Sequence, residues 1–129
     1  AKRCVPLQVS GAFHTSLMAP AGKALADFFP RVQFHPMELP VVLNIDAQPH
    51  TREQDLPEVL VRQVQSPTRF EDTIHFLLDH GVDTVVEIGP GKVLSGFVKK
   101  SGPLPEGFRL LQVENRESID AAIQLLKGA

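Results

Sequence analysis

The strongest constraint on the fold of this chain is a tight turn, Gly89-Pro90-Gly91, between an apolar run and an amphipathic segment. The apolar run covers residues 82–88 and predicts a buried strand, and the segment 92–100 predicts a helix. From Phe70 onward the predicted order is helix, strand, helix, strand, helix. Such alternation is typical of α/β proteins with parallel strands, so α/β is the predicted fold class.

The remaining elements follow from apolar spacing and from turn residues. A helix is predicted from Phe70, because apolar side chains recur at helical spacing and Gly81 stands where a left-handed cap belongs. The nearly continuous apolar run 40–45 predicts a strand buried on both faces. Ser118 is the predicted N-cap of the final helix. The other predicted elements are strands at 3–9 and 108–113 and helices at 17–29, 56–64 and 119–126.

Composition excludes several classes of function. Of 129 residues, 43% are apolar and 22% charged, which indicates a globular chain. A formal net charge of −2 gives no reason to expect a nucleic-acid partner, and no apolar stretch approaches the about 18 residues that span a membrane. The single cysteine, Cys4, excludes an internal disulfide and a zinc cage, so we expect a reducing compartment and a small, buried thiol.

His14 is the first candidate for chemistry, because it follows a predicted strand end and precedes a predicted helix. Loops at strand ends often carry catalytic groups, and imidazole titrates near neutral pH, as a general base requires. The alternative is a surface or helix-capping histidine. The other histidines have no metal-ligand spacing and indicate no metal site; they are His35, His50, His75 and His80.

Two further motifs each have a structural alternative. Asn44 and Asp46 follow a predicted buried strand, where ligand sites of open α/β sheets lie, but an Asx-type turn explains them as well. The Gly-Pro-Gly turn followed by Lys92 is no Walker loop, because Val93 stands where that motif needs Ser or Thr.

In this order and spacing, the motifs resemble those of the malonyl-CoA:acyl-carrier-protein transacylases, over essentially the whole chain. The resemblance covers the C-terminal part of such an enzyme, which is less than half of it. The segments that carry it are Ser10-Gly11-Ala12-Phe13-His14 with the following Thr15 to Pro20, Asn44-Ile45-Asp46, Val61-Arg62-Gln63, the Gly-Pro-Gly turn, and the last strand and helix.

The resemblance implies roles for four residues. His14 would be the general base, and the main-chain carbonyl of Gln63 would orient it. Phe13 and Asn44 would line the substrate pocket, and Ala12-Phe13-His14 is the form that accompanies a malonyl substrate in the wider family. The implied fold is the C-terminal part of an α/β-hydrolase-like large subdomain, residues 13–129. Residues 1–12 would be the return strand from a ferredoxin-like small subdomain.

The same resemblance implies groups that this chain does not contain. None of its serines lies in the Gly-x-Ser-x-Gly elbow that presents a nucleophile, and the family's carboxylate-binding arginine also precedes the histidine segment. Ala1 is no Met and the chain opens on an extended segment, so we expect it to begin inside a domain. The missing N-terminal half is therefore an expected partner.

The implied activity is malonyl transfer from coenzyme A to acyl carrier protein in fatty-acid synthesis, in the cytoplasm, through a serine ester. No metal or redox cofactor is expected, and the phosphopantetheine arrives on the carrier protein. Two alternatives stay open. The chain could come from the acyltransferase domain of a polyketide synthase, or it could be a non-catalytic module that binds acyl carrier protein.

Overall fold

The computed structural model describes Cys4 and residues 11–128, so the predicted strand at 3–9 and most of the predicted segment 1–12 lie outside the described residues. The chain forms two compact units, of which the first ends at Phe70 and the second begins at Glu71. The described helices are α1 Ala19–Phe28, α2 Leu56–Gln63, α3 Phe70–Asp79, α4 Val93–Lys100 and α5 Arg116–Lys127. The described strands are β1 Val41–Val42, β2 Pro49–His50, β3 Thr84–Ile88 and β4 Arg109–Val113.

Helix α1 confirms the helix predicted at 17–29. A short 3-10 turn, Ser16–Met18, precedes α1, and a second one, Phe29–Arg31, follows it. Pro20 lies in the first turn of α1, where its missing N–H costs nothing. Pro30 ends the α-helix but not the helical winding, because proline fits the first positions of the 3-10 turn.

The strand predicted at 40–45 is wrong in length and in burial. Only Val41 and Val42 pair, antiparallel to Pro49–His50, and Val41 is 43% exposed. The apolar run ends in a turn, because the Ala47 N–H donates to the Leu43 carbonyl at 3.0 Å. Turn chemistry at Asn44 and Asp46 therefore outweighs the β-propensity of the preceding residues.

Helices α1 and α2 pack closely at Gly22, which is buried. A methyl group at this position would lie 3.2 Å from the carbonyl oxygen of Val61, in α2. Glycine therefore lets the backbone of α1 approach the last turns of α2.

The second unit confirms the predicted parallel strands. Strands β3 and β4 pair in parallel, with Thr84 opposite Arg109 and Ile88 opposite Val113, and α4 connects them. Helix α3 ends as predicted at Gly81, whose φ is +77°. The Gly81 N–H donates to Leu78 and the Val82 N–H to Leu77, each at 3.0 Å, which is the Schellman pattern.

Helix α5 begins three residues before the predicted start, and its N-cap is Asn115 rather than Ser118. The Asn115 side chain accepts the Ser118 N–H at 2.9 Å, and the Ser118 hydroxyl accepts the Asn115 N–H at 3.0 Å. Ser118 is thus the second member of a capping box, in the place usually held by Glu or Gln.

The buried apolar residues are small or medium in size. Among the residues that the structure describes, they are Ala47 in the first unit and Ile74, Val98, Val113 and Ala122 in the second. Cys4 is exposed, so the expectation of a buried thiol is wrong; the burial of free cysteines is a tendency that a single thiol need not follow. No helix among the described residues is long and apolar enough to cross a bilayer.

Candidate functional site

His14 lies in a strained and exposed turn. Its φ is +63°, a left-handed conformation that non-glycine residues adopt at some cost and often at functional sites. Thr15 holds this turn on both sides. Its hydroxyl donates to the Ala12 carbonyl at 2.8 Å and accepts the Leu17 N–H at 3.3 Å. The backbone thus presents the imidazole just before the 3-10 turn that leads into α1.

Phe13 is also exposed, at 59%. Its ring lies over Gly11, where an added methyl group would be 3.1 Å from ring atom Cε2. A residue larger than glycine at position 11 would therefore displace the ring. The pocket-lining role of Phe13 stays a prediction.

The structure brings Asn44 and Gln63 together. The N–H of Asn44 donates to Oε1 of Gln63 at 2.8 Å, and the Asn44 carbonyl accepts the Arg69 N–H, also at 2.8 Å. The turn after β1 is therefore fastened to the end of α2 and to the segment that follows it.

The main-chain oxygen of Gln63 accepts the Ser66 N–H at 3.2 Å. Within residues 11–128, no hydrogen bond joins the His14 ring to Gln63 or to Asn44. The orienting role of the Gln63 carbonyl thus stays a prediction. A carbonyl oxygen has two lone pairs, so the contact with Ser66 leaves room for a second donor.

Sequence reasoning missed a pairing of His50 with Asp46. Nε2 of His50 lies 3.1 Å from Oδ2 and 3.3 Å from Oδ1 of Asp46, and the His50 side chain is only 15% exposed. Asp46 also accepts the Gln48 N–H at 3.1 Å, which confirms the Asx-type turn. The spacing of four residues was the available signal, but it points to a pair only once the short hairpin of β1 and β2 is known.

The Gly-Pro-Gly turn is held by side chains from both neighbouring strands. The Glu87 carboxylate accepts the N–H groups of Leu94 at 3.0 Å and Ser95 at 2.8 Å, and Glu114 accepts the Gly91 N–H at 3.1 Å. The Gln112 amide donates to the Gly89 carbonyl at 2.9 Å. A carboxylate of the chain itself thus occupies the N-terminus of α4, the place where an external anion would bind.

These contacts lower the pKa of Glu87 below its ordinary 4.5. The Ser95 side chain is the first cause of the lowered pKa, and the N–H groups of Ser95 and Leu94 lower it further. Partial burial of the carboxylate acts in the opposite direction and raises the pKa. The Ser95 hydroxyl oxygen is buried and makes no well-oriented hydrogen bond among the described residues. The N–H groups of Leu94 and Ser95 lie at the distances of charge-assisted hydrogen bonds, which favour the ionised carboxylate.

The described residues include no cluster of three or more His, Cys, Asp or Glu side chains that could hold a metal ion. An apolar cavity of about 480 Å³ lies in the first unit, between the end of α1 and the start of α2. The residues that line it are Ala26, Phe29, Pro30, Val32, Phe34, Pro57, Glu58 and Val61. The predicted site residues do not line this cavity.

Comparison with known proteins supports the motif-based prediction, although no family model matches the chain. The malonyl CoA-acyl carrier protein transacylase of Bacillus subtilis (strain 168) is 43% identical over 127 residues, which is 98% of this chain and 39% of that protein. The crystal structure of MCAT from Streptococcus pneumoniae superposes with a TM-score of 0.85 at 42% identity and covers 97% of this chain and 40% of that one.

A third match is a malonyl-transacylase in complex with a type II PKS acyl-carrier protein. It has a TM-score of 0.83 at 33% identity and covers 96% of this chain and 39% of that chain. Fold and motifs together thus define a mixed α/β chain that is similar to part of the transacylases. More particularly, the chain matches part of malonyl CoA-acyl carrier protein transacylase, and the resemblance predicted from the motifs is confirmed. It spans about two fifths of the length of the relatives it matches.

Proposed function

We propose that the parent protein of this chain transfers a malonyl group from coenzyme A to an acyl carrier protein. The observation that carries the proposal is the 43% identity over 127 residues to a protein of that name. The reaction uses a serine ester, and the serine and the carboxylate-binding arginine belong to the part of the parent protein outside this chain. Fatty-acid synthesis in the cytoplasm is the proposed setting.

His14 is the proposed general base. It takes the proton of the serine hydroxyl as the serine oxygen attacks the malonyl thioester, and it returns that proton to the departing coenzyme A thiol. In the second half of the reaction it takes the proton of the phosphopantetheine thiol, whose sulfur attacks the carbonyl carbon of the serine ester. The serine oxygen leaves, and His14 returns the proton to it, which restores the serine hydroxyl and the neutral imidazole. Each half exchanges one thiol or alcohol for another, so the proposal needs no metal or redox cofactor.

Gln63, Phe13 and Asn44 have supporting roles in this proposal. The proposed contact is a hydrogen bond from the His14 ring to the main-chain carbonyl of Gln63, which would fix the tautomer of the ring, as an aspartate does in serine hydrolases. Phe13 stands next to the base and limits the space beside the α-carbon of the substrate, which favours malonyl over branched groups. Asn44 lines the pocket from the turn after β1.

The proposed fold of the parent protein places residues 13–129 in the C-terminal part of an α/β-hydrolase-like large subdomain. Residues 1–12 are the proposed return strand from a ferredoxin-like small subdomain. The parallel β3–α4–β4 arrangement supports the first assignment, because parallel pairs joined by a helix are the unit from which such sheets are built.

A second candidate function differs only in the carrier protein. One relative at 33% identity was solved with a type II PKS acyl-carrier protein, which favours a polyketide carrier as the alternative acceptor. Transfer rates to purified fatty-acid and polyketide carrier proteins distinguish the two.

Substitution of His14 tests the function. In the parent protein, His14→Ala should lower malonyl transfer by a factor of roughly 10²–10⁴, the range for loss of a general base. Mass spectrometry of malonylated carrier protein measures the rate. His35→Ala, which removes another exposed imidazole of the same unit, is the matched control and should transfer at the wild-type rate. Wild-type turnover of the His14 variant would refute the proposal.

A further inference from the structure

The side chain of Gln63 has a structural partner of its own. Its Oε1 accepts the N–H of Asn44 at 2.8 Å, across 19 residues of sequence, and both residues are half-buried. The predicted role of Gln63 uses only its main-chain oxygen and gives the side chain no function. The contact with Asn44 therefore needs a separate account.

The peptide group of Asn44 is held at both of its polar atoms. Gln63 takes the N–H, and the Arg69 N–H donates to the carbonyl at 2.8 Å. The segment 63–69 thus clamps the turn after β1 from two points. Without the side-chain oxygen of Gln63, the half-buried N–H of Asn44 would lose its hydrogen-bond partner, and only the bond to Arg69 would hold the turn to this segment.

The main chain of Gln63 is held independently of its side chain. Its carbonyl accepts the Ser66 N–H at 3.2 Å, and the Ser66 hydroxyl donates to the neighbouring Arg62 carbonyl at 2.7 Å. A substitution of the Gln63 side chain therefore leaves the carbonyl in place. The two roles can be separated by experiment.

Helix α1, which follows His14 in the chain, also reaches this region. A methyl group on Gly22 would be 3.2 Å from the carbonyl oxygen of Val61 and 3.5 Å from Nε2 of Gln65. These two residues lie on either side of Gln63 in the sequence. The helix after the base and the turn that bears Asn44 therefore both contact the end of α2.

We propose that the Gln63 side chain is a positioning residue, which fixes the pocket-lining turn at Asn44 against the end of α2 and so maintains selection of the malonyl group. The inference rests on the proposed malonyl transfer. It adds to the carbonyl role of Gln63 and does not depend on that role. A small displacement of a pocket wall is enough to change how a substrate is oriented.

The test compares three substitutions at Gln63 in the parent protein. Gln63→Ala and Gln63→Met remove the amide oxygen, and Met keeps the volume in case Ala impairs folding. Gln63→Glu keeps an oxygen at the same reach and is the matched control. Two quantities are measured: hydrogen exchange of the peptide that contains the Asn44 amide, and the ratio of kcat/KM for malonyl-CoA to that for methylmalonyl-CoA.

We expect exchange at Asn44 at least about tenfold faster in Gln63→Ala and Gln63→Met, because the amide loses its partner. We also expect the malonyl preference to fall about tenfold in both, with Gln63→Glu close to wild type. Partial unfolding lowers the measured turnover of malonyl-CoA and of methylmalonyl-CoA by the same factor and leaves their ratio unchanged. A change in the ratio therefore reports a change in the position of the pocket wall. A wild-type ratio in both the Ala and Met variants overturns the inference. His14→Ala separately tests the proposed function, since its outcome does not depend on the Gln63 side chain.

Discussion

At the scale of single residues, the structure shows how one small side chain constrains the candidate base. His14 occupies a left-handed conformation, and Thr15 next to it bonds both the residue before the turn and the 3-10 turn after it. Such a cap stabilises by about 1 kcal/mol, comparable with the cost of the left-handed conformation. Thr15 belongs to the segment that carries the family resemblance, and its two hydrogen bonds give a physical reason for a hydroxyl side chain at this place.

Thr15 therefore offers a test at this scale. Thr15→Val keeps the shape of the side chain but removes both hydrogen bonds, so it should destabilise the parent protein by about 1 kcal/mol and lower malonyl transfer several-fold. Thr15→Ser keeps the hydroxyl and should match wild type in both respects. Thermal unfolding and transfer assays measure the pair. Equal behaviour of the Val and Ser variants would show that the hydroxyl does not support the turn.

At the scale of elements, the turn between β3 and α4 shows local patterns and tertiary contacts acting together. Glycines at positions 89 and 91 have φ values of +137° and +86°, which the sequence indicates by its Gly-Pro-Gly motif. The closing contacts come from Glu87, Gln112 and Glu114, and two of these lie 23 residues away in sequence from their partners. No periodicity in the sequence reveals them.

Glu87 makes the stability of this element depend on pH. Its pKa is lowered in the folded chain, so its stabilising contribution is present above the unfolded value of about 4.5 and is lost as pH falls through the lower folded value. Glu87→Gln cannot carry the charge, and its unfolding midpoint should therefore fall less steeply than that of wild type on acidification below pH about 4.5.

Urea denaturation of the parent protein at several pH values measures this difference. Glu106→Gln, in the exposed turn before β4, is the control and should keep the wild-type slope. An identical acid slope in wild type and Glu87→Gln would contradict the capping role of Glu87.

At the scale of the whole molecule, the second unit exposes apolar side chains around the end of β3 and the start of α4. Ile88 is 82% exposed, and Val93, Leu94 and Phe97 are exposed as well. Contiguous exposed apolar side chains mark surfaces that bind another surface or promote aggregation. Because the chain spans about two fifths of its relatives, we expect the rest of the parent protein to cover these residues.

Ile88→Thr tests this expectation, because the substitution should be favourable in the separate chain and unfavourable in the parent protein. In the separate 129-residue chain it should increase the soluble yield several-fold, because it removes exposed apolar surface while threonine keeps a β-branched shape. In the parent protein the same change should destabilise by about 1–3 kcal/mol, because the side chain would then be buried. A neutral effect in the parent protein would show that Ile88 stays exposed there.

Sequence patterns alone predicted the α/β class, the approximate positions of the helices, the Gly81 cap and the resemblance to the transacylases. These features depend on apolar periodicity, turn residues and short motifs, which act between near neighbours in the chain. Periodicity failed at 40–45, where turn-forming residues ended the strand after Val42. The predicted start of α5 was also wrong, because Asn115 is the N-cap of this helix and Ser118 is the second residue of its capping box.

Which side chains contact each other depends on how the elements pack, and local sequence patterns did not predict these contacts. The Gln63–Asn44 bond, the His50–Asp46 pair and the Glu87 cap of α4 each join separate elements or opposite sides of a turn. Whether a polar side chain faces solvent or a partner depends on how those elements pack, and a burial pattern along the chain contains no such information. The physical reason is that hydrogen bonds act over about 3 Å and require alignment, whereas apolar periodicity specifies only which face of an element turns inward.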